Sequence, residues 1–280
     1  MTEAKLKELC VVMILGVILM SCDMNVPVSL PEFQEKLVIE SYLTVDDSII
    51  VRIDKTLNPF VFPDRNNPGR RVRGAIVQLS VGDSIFQLRE RTTPYGYYTG
   101  ILYTDYRRVT PQTKYRISVD YQSLHAEAEC TTFPRIRLTD ARVSAQYQPR
   151  EYNASFDLMI SASFPLTESY YLVSLFAPTV PSNGSPYVTA PFWVNANHST
   201  EFVSLRGVSK TSFVAPPSRF RVELRRIDKI YYDIYKAVEA QRGEYDSFLG
   251  SETTEIPTNI IGGYGIFTGM SKDTMSVVLQ

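Results

Sequence analysis

From Leu37 onward, apolar and polar side chains alternate in short runs, and this two-residue period fits half-buried β-strands and little else. Ile49-Ile50-Val51-Arg52-Ile53, Ala75 to Val81, Ile85 to Leu88, Tyr97 to Tyr103 and Tyr115 to Tyr121 all follow it. Turn formers separate the runs: Asp46-Asp47, Asn66-Asn67-Pro68-Gly69, Gly82-Asp83, Thr93-Pro94-Tyr95-Gly96 and Pro111-Gln112-Thr113. With Leu37 to Thr44 and Ser123 to Phe133 added, about seven strands fall within about a hundred residues, the number an immunoglobulin-like sandwich requires. Tyr115 opens a late strand just after the Pro111 turn, where such sandwiches place a tyrosine whose hydroxyl bonds to nearby backbone. Residues 37–137 are expected to form this first sandwich.

Alternation resumes beyond Thr139 in Tyr152 to Ser163, Ser169 to Ala177, Val188 to Val194 and Phe220 to Leu224. The period then changes. Ile227, Ile230, Tyr231, Ile234, Tyr235 and Val238 recur at helical spacing, with Asp228 placed to cap a helix at about 229–241 and Ile227 placed to staple onto Tyr232. The outward face of that helix mixes Lys229, Asp233, Lys236, Glu239 and Arg242, which favours core packing over a basic membrane-surface role. The expected fold is all-β, with two β-sandwich domains; the second, residues 138–280, carries one packed amphipathic helix.

The start of the chain reads as an address. Lys5 and Lys7 precede the apolar run Leu9 to Met20, which is shorter than the ~20 residues of a spanning helix and suits the core of an export signal. Leu19-Met20-Ser21-Cys22 resembles the bacterial lipobox, so residues 1–21 are expected to be removed and Cys22 to be acylated. The alternatives are an ordinary signal peptide or an uncleaved anchor with Cys22 as a bystander. Residues 22–36, with Pro27 and Pro31, read as an extended tether reaching roughly 40 Å. Cys10 lies in the signal, and acylation of Cys22 leaves Cys130 alone. Cys130 shares one strand face with Leu124, Ala126 and Ala128, so it reads as a buried apolar residue and not a nucleophile.

Several chemistries lack their residues. A net charge of −1 provides no field for polyanions, so nucleic-acid binding is not expected. Only two histidines are present: His125-Ala126-Glu127 lacks the cysteine half of a zinc deaminase signature, and His198 sits in a polar turn. The adjacent carboxylates Asp46-Asp47 are free to diverge, and no Gly-x-Ser-x-Gly elbow occurs. Neither an enzyme nor a metal ion nor a cofactor is expected. Candidate contact residues are Trp193 and Tyr95, from an aromatic content of 12%, and Arg70 and Arg71, from the basic stretch Asp64 to Arg73. The sequence does not identify a small-molecule or glycan ligand.

The most distinctive local signal is Ile256-Pro257-Thr258-Asn259-Ile260-Ile261-Gly262-Gly263-Tyr264-Gly265-Ile266-Phe267. Its glycines fit a tight turn or bulge, because a phosphate-cradling loop would open a helix and Met275 to Leu279 reads as a final strand. With the lipobox, the tether, the Val72 to Val77 strand, the helix and this ending in order, the chain resembles a family of Bacteroidota outer-membrane lipoproteins of unknown function (DUF4249-like). The resemblance spans Cys22 to the C-terminus and carries no catalytic or binding residues. Genes of that family commonly neighbour those of TonB-dependent receptors. The resemblance therefore implies an outer-membrane lipoprotein, on a face left undecided, acting as a non-enzymatic accessory or cargo-capture partner of such a transporter. The alternative is a structural or adhesive envelope protein that binds matrix or other surface proteins.

Overall fold

The computed structural model describes residues 33–58, 71–93, 100–148, 155–163, 170–177, 187–195, 202–207, 219–244 and 255–278. The expected signal, Cys22 and most of the tether lie outside these residues. Eight strands fill the first half: β1 (Leu37–Thr44), β2 (Ser48–Lys55), β3 (Ile76–Val81), β4 (Ser84–Gln87), β5 (Arg89–Thr93), β6 (Gly100–Arg108), β7 (Lys114–Tyr121) and β8 (Leu124–Thr131). The second half contributes β9 (Asp140–Gln148), β10 (Ser155–Ser163), β11 (Tyr170–Ala177), β12 (Tyr187–Asn195), β13 (Phe202–Gly207), β14 (Arg219–Ile227), helix α1 (Lys229–Glu244) and β15 (Gly263–Val278).

The alternation read from the sequence is the burial pattern observed. Leu37, Ile39 and Leu43 of β1, Ile49, Val51 and Ile53 of β2, Val77 and Leu79 of β3, and Ile117 and Val119 of β7 all point into one core. Each such side chain contributes about 1.5–3 kcal/mol on leaving water. The core lies between one sheet containing β1-β2-β6-β5 and a second in the order β4-β3-β7-β8. These are the A-B-E-D and C-F-G arrangements of an immunoglobulin-like sandwich, with β4 added at an edge. Tyr115 forms the expected corner: its buried hydroxyl accepts the Thr110 N–H at 2.8 Å, five residues upstream. A second tyrosine, Tyr103 of β6, accepts the Ala75 N–H at 3.0 Å and ties the start of β3 across the core.

Both sides of this sandwich are closed by chain that passes from one sheet to the other. On one side, β4 pairs with β3 and β5 pairs with β6; between them the Leu88 N–H still bonds to Val77 O at 2.8 Å. On the other side, Ile261 exchanges both backbone bonds with Glu127 of β8, and two residues later β15 joins β1 in parallel register, Leu37 opposite Gly263 through Thr44 opposite Met270. Closure leaves fewer open edges for other chains to pair with.

β15 also joins the two halves. Past Met270 it pairs with β14, from Ser271 opposite Arg226 to Val278 opposite Arg219, so one eight-stranded sheet runs β12-β11-β14-β15-β1-β2-β6-β5. A three-stranded sheet, β13-β10-β9, makes the second sandwich-like layer with β9 beside β15 and β13 beside β12. Residues Glu35–Gln280 form one compact unit. The segment 263–270, in the sequence part of residues 138–280, thus completes the sheet of the first sandwich.

The glycines of the ending motif allow that crossing. Gly265 has φ +109°, and a Cβ there would overlap the Ile39 carbonyl; Gly262 has φ +78°, and a Cβ there would lie 2.5 Å from the His125 carbonyl oxygen. β8 accommodates the approach with small inward residues, Ala126, Ala128 and Cys130. Gly265→Ala is expected to destabilise the protein by roughly 3 kcal/mol, the sum of left-handed strain and overpacking. Gly74→Ala, with φ +72° but open space around it, is expected to cost only about 1–2 kcal/mol. Urea denaturation of both variants tests this, and equal losses would show that crowding at β1 is not what requires Gly265.

Candidate functional site

The ending motif completes itself with side chains. Asn259 acts as a substitute strand neighbour for Phe267: its Nδ2 donates to Phe267 O at 2.7 Å and its Oδ1 accepts the Phe267 N–H at 3.0 Å. The Thr258 hydroxyl donates to Gly265 O at 2.9 Å. These bonds occupy the edge of β15 that faces away from β1, so the Pro-x-x-Asn-Ile-x-Gly-Gly segment is structural and not a ligand cradle.

A shallow depression of about 440 Å³ opens on the outer face of the eight-stranded sheet, with α1 packed nearby. It is lined by Glu40, Tyr42 and Thr44 of β1, by Ile50 and Arg52 of β2, and by Arg108 of β6, among others. Alternation puts these residues outside, opposite the core face of the same strands. Tyr42 meets Tyr231 of α1 edge-on at 5.3 Å, while Ile50 stays about half exposed at 48%. Burial, followed by the charge of Glu40, pushes the Tyr42 hydroxyl above its usual range, so it remains a protonated donor. The charges in and around the depression are mostly paired. Glu40 faces Arg52 at 3.5 Å, and Asp47 is bound by Lys272 of β15. Its neighbour Asp46 diverges as expected, held by Arg135 through two bonds of 2.7 Å that keep its carboxyl below the usual range. The two carboxylates brace the β1–β2 turn against the inter-half linker and β15. The arrangement offers an aromatic and aliphatic contact surface with polar borders.

Helix α1 packs beside the depression through the Tyr231–Tyr42 contact, and its start is firmly fixed. Asp228 Oδ1 accepts the Tyr231 N–H at 3.0 Å as the expected cap, and Oδ2 accepts the Thr268 hydroxyl of β15. Tyr232 stacks on Tyr170, the cross-strand neighbour of Ile227, with ring centroids 4.8 Å apart. The helix extends to Glu244, three residues beyond the sequence expectation. Burial raises the carboxyl of Asp228 above its ordinary value despite these two bonds.

The residues singled out in the sequence are not brought together. Arg71 forms an isolated backbone bridge with Asp54 of β2, and Trp193 lies on the edge strand β12 opposite Leu172. β11, β14, β15 and β1 separate them in the sheet. Arg70, Tyr95, His198 and the side chain of Trp193 lie outside the described residues. His125 pairs with Asp120 at 2.7 Å on the β7–β8 hairpin, and Glu127 pairs with Arg116. Cys130 is buried and free, with its thiol pushed up by burial. Among the described residues, no group of three potential metal ligands occurs, and no helix is long and apolar enough to cross a membrane. The depression was missed in the sequence, although Ile50 signals it: it is an isoleucine in the polar phase of an alternating strand.

The strand order and the tyrosine corner define an immunoglobulin-like β-sandwich extended by a second β-rich half. The chain belongs to the family defined by the domain of unknown function DUF4249, whose model matches residues 23–276. No curated protein is significantly similar to it. Among solved structures, the crystal structure of chicken CNTN1 FN1-FN3 domains aligns over 86% of this chain and 66% of that chain, at 11% identity and a TM-score of 0.27.

The raised carboxyl of Asp228 sets a pH dependence. Because the folded value exceeds the unfolded one of about 3.9, folding favours the protonated acid, and that contribution is lost as pH rises through the folded value. Asp228→Asn keeps the cap and removes the titration. From about pH 4 towards neutrality, the wild type is expected to lose stability relative to the variant in urea denaturation. Parallel stability curves would contradict this.

Proposed function

We propose that the protein is a non-enzymatic lipoprotein of the outer membrane in a Bacteroidota-like cell envelope, anchored through Cys22, and an accessory or cargo-capture partner of a TonB-dependent transporter. The observation that carries the reading is that the region shared by the family begins at residue 23, directly after the lipobox cysteine. Two or three acyl chains, at ~0.8 kcal/mol per buried methylene, would make the attachment effectively permanent. The body supports a binding role: the closed first sandwich holds a contact face rigid, and the carboxylates Glu40, Asp46 and Asp47 are each paired with a cation.

Affinity purification from detergent-solubilised membranes is expected to recover the protein with a TonB-dependent barrel. Cys22→Ala is expected to move it to the soluble fraction, and mass spectrometry of the wild type should find a diacyl or triacyl group on the Cys22 sulfur. An unmodified thiol at Cys22 would remove the anchor from the reading. An acylated protein that repeatedly purifies without a barrel would remove the transporter and favour the adhesive alternative.

A further inference from the structure

A second depression, of about 550 Å³, lies at the end of the first sandwich opposite the start of β1. Its floor is Ile49, Val81 and the corner residue Tyr115; its walls are Ser84, Ile85, Phe86, Arg107, Arg108 and Thr110. The volume falls within the range of about 300–1,000 Å³ usual for ligand sites. Among the described residues, two guanidinium groups line it and no carboxylate does. Ile85 is 67% exposed on its rim, and of the four residues of β4 only Phe86 is partly buried.

Both guanidinium groups are held in place before any ligand arrives. Arg107 lies over the Phe86 ring at 4.1 Å, and Arg108 donates through Nη1 to Asp46 O at 2.6 Å. Stacking and a single backbone bond leave most of the five N–H donors of each fork available. Asp105 accepts the Arg107 backbone N–H at 2.8 Å and, 3.9 Å from its Nε, is the loose carboxylate partner of Arg107, while Asp46 is bound by Arg135. Asp83, in the β3–β4 turn, is outside the lining. An anion meeting two preset forks loses little side-chain entropy on binding.

We infer that this depression binds a peptide segment in which an acidic side chain is flanked by an apolar one, the carboxylate on Arg107 and Arg108 and the apolar group against Ile85 and Phe86. A bare phosphate or a lipid headgroup would use the guanidinium groups but leave the exposed Ile85 wall without a role. The inference goes beyond the proposed function and holds whether or not Cys22 is acylated.

Isothermal titration of the full chain in detergent micelles with a synthetic peptide of alternating glutamate and leucine tests it. Saturable binding that weakens with added salt is expected. Replacing glutamate with glutamine in the peptide, or introducing Arg107→Gln with Arg108→Gln in the protein, is expected to raise Kd by about tenfold or more. Ile85→Ser is expected to raise Kd several-fold. Unchanged thermal unfolding certifies the variants, and Arg107→Lys, which keeps the charge but not the fork, is a milder second test with an intermediate Kd expected. Equal binding of the glutamine peptide, wild-type affinity in the arginine variants, or binding of inorganic phosphate or phosphatidylglycerol vesicles without the peptide would overturn the inference.

Discussion

The passage of the final strand between two others is the constraint on which the rest of the structure depends. β15 lies along β1 in parallel, and the residues just before it are pinned to β8, so the strand crosses from one sheet of the sandwich to the other at very short range. Such an approach has no room for side chains at Gly265 or Gly262. The same strand then continues past the end of β1 and becomes the partner of β14. A strand that runs from one half of the chain into the other within one sheet couples the two halves more tightly than a linker would, since bending it would break hydrogen bonds on both sides.

Polar groups reinforce that coupling. The linker between the halves is tied to β15 by the Ile136 N–H on the Ser271 hydroxyl at 3.2 Å and by the Leu138 N–H on Asp273 at 2.7 Å. Arg226 of β14 lies over Phe133 at 4.8 Å, and Lys272 holds Asp47 at the β1–β2 turn. Exposed ion pairs contribute little individually. Their importance here is geometric: they fix the turn and linker relative to β15, and so help position the charged border of the outer-face depression.

On the proposed reading, the outer face serves recognition. Catalytic carboxylates usually sit in low-dielectric clefts with their protonation tuned apart, whereas those around the outer face are matched to cations at the solvent boundary. Among the described residues, the carboxylate that burial shifts upward, Asp228, is used as a helix cap and as the acceptor of the Thr268 hydroxyl. The available chemistry is the planar donor geometry of guanidinium groups and the amphipathic faces of tyrosine.

Much of the fold was legible along the chain because it depends on short-range periodicity. A two-residue alternation puts Leu37, Ile39, Val51 and Ile53 on one face whatever the partner strand, and Asp228 before a run at helical spacing caps a helix from local geometry alone. The Tyr115 corner could likewise be read, since its partner is five residues away. Strand partners could not be read, because they are set by long-range pairing: nothing local in Gly263 to Met270 says that it lies beside Leu37 to Thr44. The depressions were hidden for the same reason. Tyr42, Ile50 and Arg108 share a border only because β1, β2 and β6 are neighbours, and Arg107 meets Phe86 only across the sandwich end. By itself the sequence determined most of the strands, the helix and their buried faces. Tertiary structure alone decided which strands touch, and therefore which side chains form a surface, because contact between residues two hundred positions apart depends on the packing of the whole chain.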